Sequence, residues 1–194
     1  MKVGVLGLQG DVREHEYALV AAGATPIVVK QQGELEDVDA LIIPGGESTT
    51  IGKLLDRFSL LDPLKERIAA GMPVYGTCAG LILMASEITA PERASGAVHD
   101  APHRLDVMDI AVARNAYGRQ IDSFETDLDI DGLAEPFRAV FIRAPVVERT
   151  GPDVEVLATF DERPVLLRQG RVLGSTFHPE MTADSRLHEL FIEM

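Results

Sequence analysis

The sequence is poor in cysteine, in aromatic residues and in basic charge. It contains one cysteine in 194 residues, no tryptophan, and 18 lysine and arginine residues against 31 aspartate and glutamate residues. A single cysteine excludes an internal disulfide and is typical of a reducing cytosol. The net charge of −13 argues against a nucleic-acid partner, because a phosphate backbone selects a basic surface.

Long hydrophobic runs and metal-ligand spacings are also missing. No apolar run approaches the roughly 20 residues that span a bilayer, and residues 1–6 have the pattern of a strand rather than of a signal peptide. There is no second cysteine and no H-x-x-x-H pair, so we expect no metal site and no cofactor. With 46% hydrophobic and 25% charged residues, we expect a single domain over residues 1–194, located in the cytoplasm.

The order of the apolar segments predicts an α/β fold. Short apolar strands alternate with helical stretches in the first half, which is typical of a parallel sheet covered on both faces. From residue 107 onward, short strands and two hairpin turns (161–164 and 169–171) predict an antiparallel portion. The strands predicted for the first half are 2–8, 25–29, 40–43 and 73–75, and the helices predicted along the chain are 11–22, 60–70 and 184–193. Asp11 and Glu14 have the spacing of a capping box, and Ser48 is positioned to cap another helix.

The single cysteine lies in Gly76-Thr77-Cys78-Ala79-Gly80, between a strand-like run (73–75) and a helix-like run (81–85). This is a G-x-C-x-G version of the strand–turn–helix nucleophile elbow. The glycines make room for a tight turn, and the start of the helix favours the thiolate form of the sulfur. The pattern predicts covalent acyl chemistry. The alternative is that Cys78 is a small buried hydrophobic residue, as most free cysteines are.

A cysteine nucleophile needs a base, and the base needs a group that orients it. His178-Pro179-Glu180 follows the last predicted strand, at the kind of sheet edge where the elbow also lies. In an extended segment residues i and i+2 point the same way, so Glu180 is positioned to approach the ring of His178, and Pro179 is expected to keep the segment from becoming helical. The alternative is an edge histidine, or a turn at the start of a helix.

The other four histidines lack this context. His15 and His188 fall in predicted helices, where we expect them to face solvent. His99 and His103 fall in an irregular segment (91–104) that we interpret as an exposed loop.

Acyl transfer also needs donors for the oxyanion. Ala79, the residue after the nucleophile, is expected to supply one backbone N–H. The loop 44–48 is the natural source of the second, because its paired glycines let the backbone approach a ligand closely, although a plain glycine turn would have the same sequence. A glycine peptide also changes orientation at little steric cost. Gln9 and Gly10 are positioned where contact with a partner protein could influence the orientation of the peptide between Gly45 and Gly46.

Taken together, these motifs resemble a known family over essentially the whole chain. The elbow and the His-Pro-Glu segment are similar to those of class I (triad) glutamine amidotransferases. Within that class, further motifs resemble the glutaminase subunits of pyridoxal 5′-phosphate synthase. The residues that carry the resemblance are 7–10 (GLQG), 44–49 (PGGEST), 76–80 (GTCAG), 114–120 (RNAYGRQ), 141–145 (FIRAP) and 177–180 (FHPE).

The resemblance implies a flavodoxin-like α/β fold and a glutaminase mechanism. Cys78 would attack the side-chain amide of L-glutamine, His178 would transfer protons and Glu180 would orient His178. Gly46 and Ala79 would form the oxyanion hole. The positions that match the family's glutamine-binding residues are Gly46, Glu47, Ser48, Arg114, Ile142 and Arg143.

The resemblance also implies a partner. The ammonia acceptor would be the barrel-shaped synthase subunit, in a large hetero-oligomer that builds pyridoxal phosphate from ammonia, a pentose phosphate and glyceraldehyde 3-phosphate. Neither a membrane nor a nucleic acid is implied. The segment 98–105 is several residues longer than the family pattern leads us to expect. The extra residues affect the expected shape of the site wall near Arg114.

Three other functions remain open at this point. The first is a glutaminase of another pathway, against which the motifs at 114–120 and 141–145 argue. The second is a γ-glutamyl hydrolase or cysteine peptidase, which would act without a partner. The third is a non-catalytic binding subunit, against which the presence of all three triad residues argues.

Overall fold

The computed structural model describes residues 1–89, 103–114 and 123–194. Its centre is a seven-stranded sheet with the spatial order β10 (Glu155–Phe160), β11 (Arg163–Gln169), β12 (Val172–Ser175), β4 (Val74–Thr77), β3 (Ala40–Ile43), β1 (Lys2–Leu6) and β2 (Thr25–Val29). The five strands from β12 to β2 pair in parallel, whereas β10, β11 and β12 pair antiparallel. The sheet is therefore mostly parallel with an antiparallel edge, as predicted.

Two smaller sheets accompany the central one. One contains β5 (Ala85–Thr89), β6 (Met108–Ala113) and β9 (Val146–Thr150), and the other contains β7 (Ser123–Leu128) and β8 (Phe137–Ile142). The sequence prediction missed β5 and β9. Their polar and charged residues leave no long apolar run, and partner strands distant in the sequence supply their backbone hydrogen bonds.

The helices in the described part of the chain are short. They are α1 (Val12–Ala21), α2 (Gln32–Glu36), α3 (Ser48–Arg57), α4 (Leu61–Ala69), α5 (Ala79–Met84) and α6 (Arg186–Ile192), with a 3₁₀ turn at Pro179–Met181. In the described part of the chain no helix combines the length and the apolar character needed to cross a membrane. The helix α2, which spans one and a half turns, was not predicted.

The core consists of two apolar layers, one on each face of the central sheet. Successive strand residues alternate between the layers: Leu41 lies in one and Ile42 in the other, as do Val74 and Tyr75. Residues of α3, α4 and α5 belong to the layer that contains Leu41, and residues of α1 and α6 to the layer that contains Ile42. Alternation with period two is expected for strands covered on both faces.

The turns fit their sequences. Gly23 and Gly71, at the predicted ends of two helices, have φ values of 84° and 97°, which suit a residue without a Cβ. The predicted hairpin at 161–164 joins β10 to β11 through Asp161 and Glu162, both with positive φ, a turn whose twist matches that of the strands. Gly170 forms the other predicted hairpin turn, between β11 and β12.

The topology brings distant loops to one edge. The strands β1, β3, β4 and β12 are parallel neighbours, so their carboxyl ends meet at the same edge of the sheet. The segments that follow them contain Gln9, Gly46, Cys78 and His178, respectively. Some predictions lie outside the described residues: most of the long segment 98–105, His99, and all of the motif 114–120 except Arg114.

Candidate active site

Cys78 occupies a strained turn between β4 and α5. Its φ of 48° and ψ of −99° lie in a region that side-chain-bearing residues rarely adopt. The backbone N–H of Cys78 donates to the carbonyl oxygen of Ser175 at 2.8 Å, which fixes the turn to the neighbouring strand. Cys78 as a whole is 7% exposed, so the residue is sheltered but not closed off from solvent. This is the predicted strand–turn–helix geometry.

Gly76 and Gly80, on either side of Cys78, are required by close backbone contacts. A Cβ at Gly76 would lie 2.7 Å from the carbonyl carbon of Gly80. A Cβ at Gly80 would overlap the carbonyl oxygen of Ile43. Any side chain at either position would therefore push α5 away from the sheet and displace Cys78.

His178 and Glu180 form a buried pair. Nδ1 of His178 lies 2.8 Å from Oε1 of Glu180, and the side chain of Glu180 is fully buried. The expectation of an extended segment is wrong, because Pro179–Met181 forms a 3₁₀ turn, whose first position suits proline. The turn still brings the two side chains together. The backbone N–H of His178 donates to the carbonyl oxygen of Val140 at 2.9 Å, which anchors the segment.

The electrostatics of this pair favour a charged imidazole. Burial by itself lowers the pKa of His178, but hydrogen bonds to Cys78 and Glu180 and the charges of both groups outweigh burial and raise it to about 10. Burial raises the pKa of Glu180, and the hydrogen bond from His178 opposes this shift. The arrangement suits proton transfer between a thiol and an imidazole whose cation a carboxylate stabilises.

Asp11 is a site residue that the sequence prediction placed differently. The predicted capping box is wrong, because the side chain of Asp11 makes no capping hydrogen bond to α1. Its Oδ2 instead lies 3.5 Å from Nδ1 of His178. Its place just after β1, a strand that ends at the site edge, was the signal that could have identified it.

Cys78 and His178 open onto one cavity of about 440 Å³. Every predicted substrate-binding and oxyanion residue lines this cavity. Of the predicted triad, Cys78 and His178 line it, whereas Glu180 does not. Sequence reasoning missed Asp11, Ile82 and Met181 among its walls. The complete lining is Gln9, Asp11, Gly46, Glu47, Ser48, Cys78, Ala79, Ile82, Arg114, Ile142, Arg143, His178 and Met181.

The loop 44–48 is held from two sides. Oε1 of Gln9 accepts a hydrogen bond from the N–H of Glu47 at 2.8 Å, and a Cβ at Gly46, whose φ is 143°, would lie 2.5 Å from that same oxygen. The predicted cap is wrong by one residue: Glu47 caps α3, and its carboxylate accepts from the backbone N–H of Thr50 at 2.7 Å. Ser48 is thereby left buried in the cavity wall.

The ionisation of Glu47 follows from this cap. Burial raises the pKa of Glu47, but hydrogen bonds from Thr50 and Thr49 outweigh burial and leave it lowered. The wall therefore presents a fixed negative charge at the cavity.

Two arginines lie at the ends of strands around the cavity. Arg114 follows β6 and donates through Nη1 to Oγ1 of Thr49 at 3.0 Å. Its Nε is buried and has no hydrogen-bond partner among the described residues. Arg143 follows β8, is exposed and has a φ of 44°. Both line the cavity, so each has donors available for an anionic ligand.

The residues around His178 also form a cluster of metal-ligating types. Ligand atoms of Asp11, His178 and Glu180 lie within 4.8 Å of one another. The pair at the centre of this cluster is already joined by a hydrogen bond, and its contact with Cys78 matches acid–base chemistry. We therefore assign the cluster to proton transfer.

The expectation that His15 and His188 face solvent is wrong. Both are fully buried, because the inner faces of α1 and α6 pack on the sheet, with Leu19 one turn after His15 in the same layer. Nδ1 of His15 lies 3.0 Å from Nε2 of His188. His103 is partly buried beside Gly52, at which a Cβ would lie 2.8 Å from the Cβ of His103, and it does not line the cavity.

Comparison with known proteins gives the family. A family model described as "SNO glutamine amidotransferase family" matches residues 5–194. The chain belongs to the SNO glutamine amidotransferase family. The family name describes transfer of the glutamine amide. The chain that carries this name also contains the elbow, the buried His–Glu pair and the cavity beside them.

Relatives and a solved structure agree with this assignment. The chain is 52% identical to the "Pyridoxal 5'-phosphate synthase subunit PdxT" of Kosmotoga olearia over 100% of this chain and 97% of the relative. It is 56% identical to the protein of the same name from Nocardia farcinica, over 99% and 84% of the two chains. A "Crystal structure of glutamine amidotransferase" superposes with a TM-score of 0.89 at 50% identity, covering 98% and 97%.

Proposed function

We propose that this chain is the glutaminase subunit of pyridoxal 5′-phosphate synthase, which hydrolyses L-glutamine to L-glutamate and ammonia. The observation that carries the proposal is the cavity of about 440 Å³. Cys78, His178 and all six residues predicted to bind glutamine contribute to its walls, in a chain whose relatives are named as subunits of that synthase.

The acylation half of the reaction starts with the thiol proton of Cys78 already on His178, in keeping with the charged imidazole described above. The sulfur then attacks the side-chain amide carbon of glutamine, and a C–S bond forms while the carbonyl electrons move to oxygen. When the carbonyl re-forms, the C–N bond breaks and His178 gives its proton to the leaving ammonia. Glu180, hydrogen-bonded to Nδ1 of His178 at 2.8 Å, holds the ring and stabilises its cation.

In the second half, water replaces ammonia. His178 takes a proton from the water, and the resulting hydroxide attacks the thioester carbon. The C–S bond then breaks, and the proton on His178 is shared with the departing sulfur, so that glutamate and Cys78 are released. Both tetrahedral intermediates carry an oxyanion, which we assign to the backbone N–H groups of Gly46 and Ala79. Loss of one such donor typically costs on the order of 10²–10³ in rate.

The charges at the cavity fit the two ends of free glutamine. We assign the α-carboxylate to Arg114 and Arg143, since guanidinium groups match carboxylates and both residues line the cavity. The negatively charged Glu47 suits the α-ammonium group. Ser48 and Ile142 complete the wall between them.

The ammonia would be consumed on another protein. We propose that residues 1–194 are a single glutaminase domain that binds the barrel-shaped synthase subunit in the cytosol, in a hetero-oligomer that makes pyridoxal phosphate. The loop 44–48 offers a way to couple the two. Gln9 contacts Gly46 and Glu47, so a partner that moves Gln9 could reorient the Gly45–Gly46 peptide and complete the oxyanion hole.

Ammonia release from glutamine, measured with and without the synthase subunit, tests the proposal. We expect slow hydrolysis by the isolated chain and a higher kcat with the subunit, because an oxyanion hole acts on the transition state. A γ-glutamyl hydrolase or peptidase would cleave peptide-like substrates and ignore the subunit. A glutaminase of another pathway would hydrolyse glutamine without responding to it, and an inactive binding subunit would release no ammonia in either assay.

A further inference from the structure

Two histidines behind the cavity form a polar cluster that the mechanism does not use. His15 on α1 and His188 on α6 are 0% exposed, and neither lines the cavity. Burial and the nearby His188 and His178 lower the pKa of His15 well below its usual value, and burial lowers that of His188 to about 4. Both rings are therefore neutral near pH 7, and each has one N–H to donate.

The ring of His15 connects the two parts of the catalytic machinery. Its Nε2 lies 3.5 Å from Oε2 of Glu180 and 3.2 Å from Oγ1 of Thr77, the residue that precedes the nucleophile. Oε2 of Glu180 is buried and has no hydrogen-bond partner within 1–89, 103–114 and 123–194. Catalytic hydrogen bonds are often long in ligand-free structures and shorten as charge develops, so the 3.5 Å approach is a suitable resting geometry.

The contacts favour one tautomer of each ring. If His15 carries its proton on Nε2, it donates toward Glu180 and Thr77, and its Nδ1 accepts from Nε2–H of His188 at 3.0 Å. If the proton were on Nδ1, a lone pair of His15 would face the carboxylate of Glu180. In addition, Nδ1–H of His15 would donate to Nε2 of His188, so His188 would have to carry its own proton on Nδ1. That N–H would be a buried donor without a partner in the described part of the chain. An unpaired buried donor is costlier and rarer than an unpaired acceptor.

We propose that His15 is a positioning residue of the catalytic triad. Its Nε2–H holds the second carboxylate oxygen of Glu180, and His188 holds His15 in the tautomer that can do so. The expected effect of His15 on glutamine turnover rests on the proposed function, whereas the contact between His15 and Glu180 does not. Other titratable groups also face this cluster: His178 and Asp11 lie on the cavity side, and Tyr75 on β4 has its ring centre 6.3 Å from that of His188.

The chemical consequence concerns the charge of Glu180. A hydrogen bond to a carboxylate favours its ionised form, and the anion is what stabilises the cation of His178 during acylation. Without the donor on His15, Glu180 would be protonated more readily and His178 would hold its proton less firmly. The reactive form of Cys78 would then require a higher pH.

The single cysteine gives a readout that is independent of glutamine. Alkylation by iodoacetamide reports on Cys78 alone, because the chain has no other cysteine, and its rate can be followed against pH. In His15→Leu we expect the midpoint of that profile to move upward by about one pH unit. We also expect kcat for glutamine to fall by about 10- to 100-fold, with KM within about twofold because no wall of the cavity changes.

Two variants keep the test decisive if His15→Leu folds poorly. The amide N–H of His15→Gln reaches toward the position of Nε2, whereas His15→Asn reaches only that of Nδ1, so Gln should restore more activity than Asn. Leu19→Ala, in the same helix and equally buried, is the matched control. It should lower the melting temperature without moving the alkylation profile.

The outcomes separate the inference from the proposed function. An unmoved alkylation profile in His15→Leu, or Gln no better than Asn, would overturn the role of His15 even if the wild type hydrolyses glutamine. A shifted profile in a protein that releases no ammonia from glutamine would support the contact and overturn the proposed function.

Discussion

The carboxylate of Glu180 separates two buried histidine environments that differ in their charged neighbours and in the direction of the pKa shift. On the cavity side His178 lies beside Cys78 and Asp11, and its pKa is raised to about 10. On the core side His188 pairs with another neutral ring, that of His15, and its pKa is lowered to about 4. Burial lowers the pKa in both cases. His178 is charged because the hydrogen bonds and charges of Cys78 and Glu180 outweigh burial, whereas burial is the cause that acts on His188.

The two sides of Glu180, toward the cavity and toward the core, are therefore expected to have different roles. Groups on the cavity side change charge during the reaction, so their replacement should affect activity far more than stability. Groups on the core side keep one protonation state, so their replacement should affect stability, and activity only through the orientation and charge of Glu180. The following experiments test that division, from the largest expected effect to the smallest.

Removal of the nucleophile should have the largest effect. Cys78→Ala should abolish glutamine hydrolysis, because no other side chain can form the thioester, while the melting temperature and the circular dichroism spectrum stay close to those of the wild type. Ammonia release measured with the synthase subunit checks this prediction. Activity above trace level would rule out a thioester on Cys78.

Within the His–Glu pair, the proton carrier should matter more than the residue that orients it. We expect His178→Asn to cost about 10⁴-fold or more in kcat, and Glu180→Gln to leave roughly ten times more activity than that. Steady-state kinetics on the two variants decide the order. If His178→Asn matched the wild type, the histidine would have no part in the reaction.

A methyl group behind the imidazole should disturb only the cavity side. A Cβ at Gly45 would overlap Cε1 of His178 and lie 2.9 Å from its Nδ1, so Gly45→Ala should displace the ring and lower kcat by about 10²-fold. Gly33→Ala is the matched control, since nothing lies within 4 Å of a Cβ there. Equal kinetics of the two variants would show that the ring tolerates displacement.

The arginines should affect binding rather than turnover. Arg114→Ala and Arg143→Ala should each raise KM for glutamine by about tenfold, as expected for loss of a charged hydrogen bond of roughly 1.5 kcal/mol. Arg171→Ala is the control, because Arg171 is exposed and precedes β12, at the end of that strand remote from His178. Normal KM values in both cavity variants would remove the arginines from the binding site.

The smallest effect concerns the core side and the pH dependence of stability. An unfolded histidine gains a proton as the pH falls below 6.5, whereas His188 resists protonation until about pH 4. Folding stability is therefore lost as the pH falls through this interval, and His188 should account for about 2 kcal/mol between pH 7 and pH 5. Urea unfolding of His188→Leu at both pH values should show a smaller drop than the wild type, and an equal drop would contradict neutral burial.

Sequence reasoning succeeded where the signal is local. The strands 25–29 and 40–43 have the predicted bounds, and the elbow around Cys78 was recognised from its two glycines and the switch from strand to helix. It failed where distant neighbours decide. The carboxylate of Asp11 contacts His178 instead of capping a helix, and Glu47 takes the capping role expected of Ser48.

The sequence by itself determined the chemistry of this protein, because the nucleophile, the His–Glu pair and the glycine loop are short motifs whose residue types limit what they can do. Only the tertiary structure decided which polar groups would lose contact with water. His15 and His188 lie 173 positions apart in the sequence, yet their rings meet at 3.0 Å behind Glu180. Their meeting depends on two helices packing on the same face of the sheet, a long-range arrangement that no local pattern encodes.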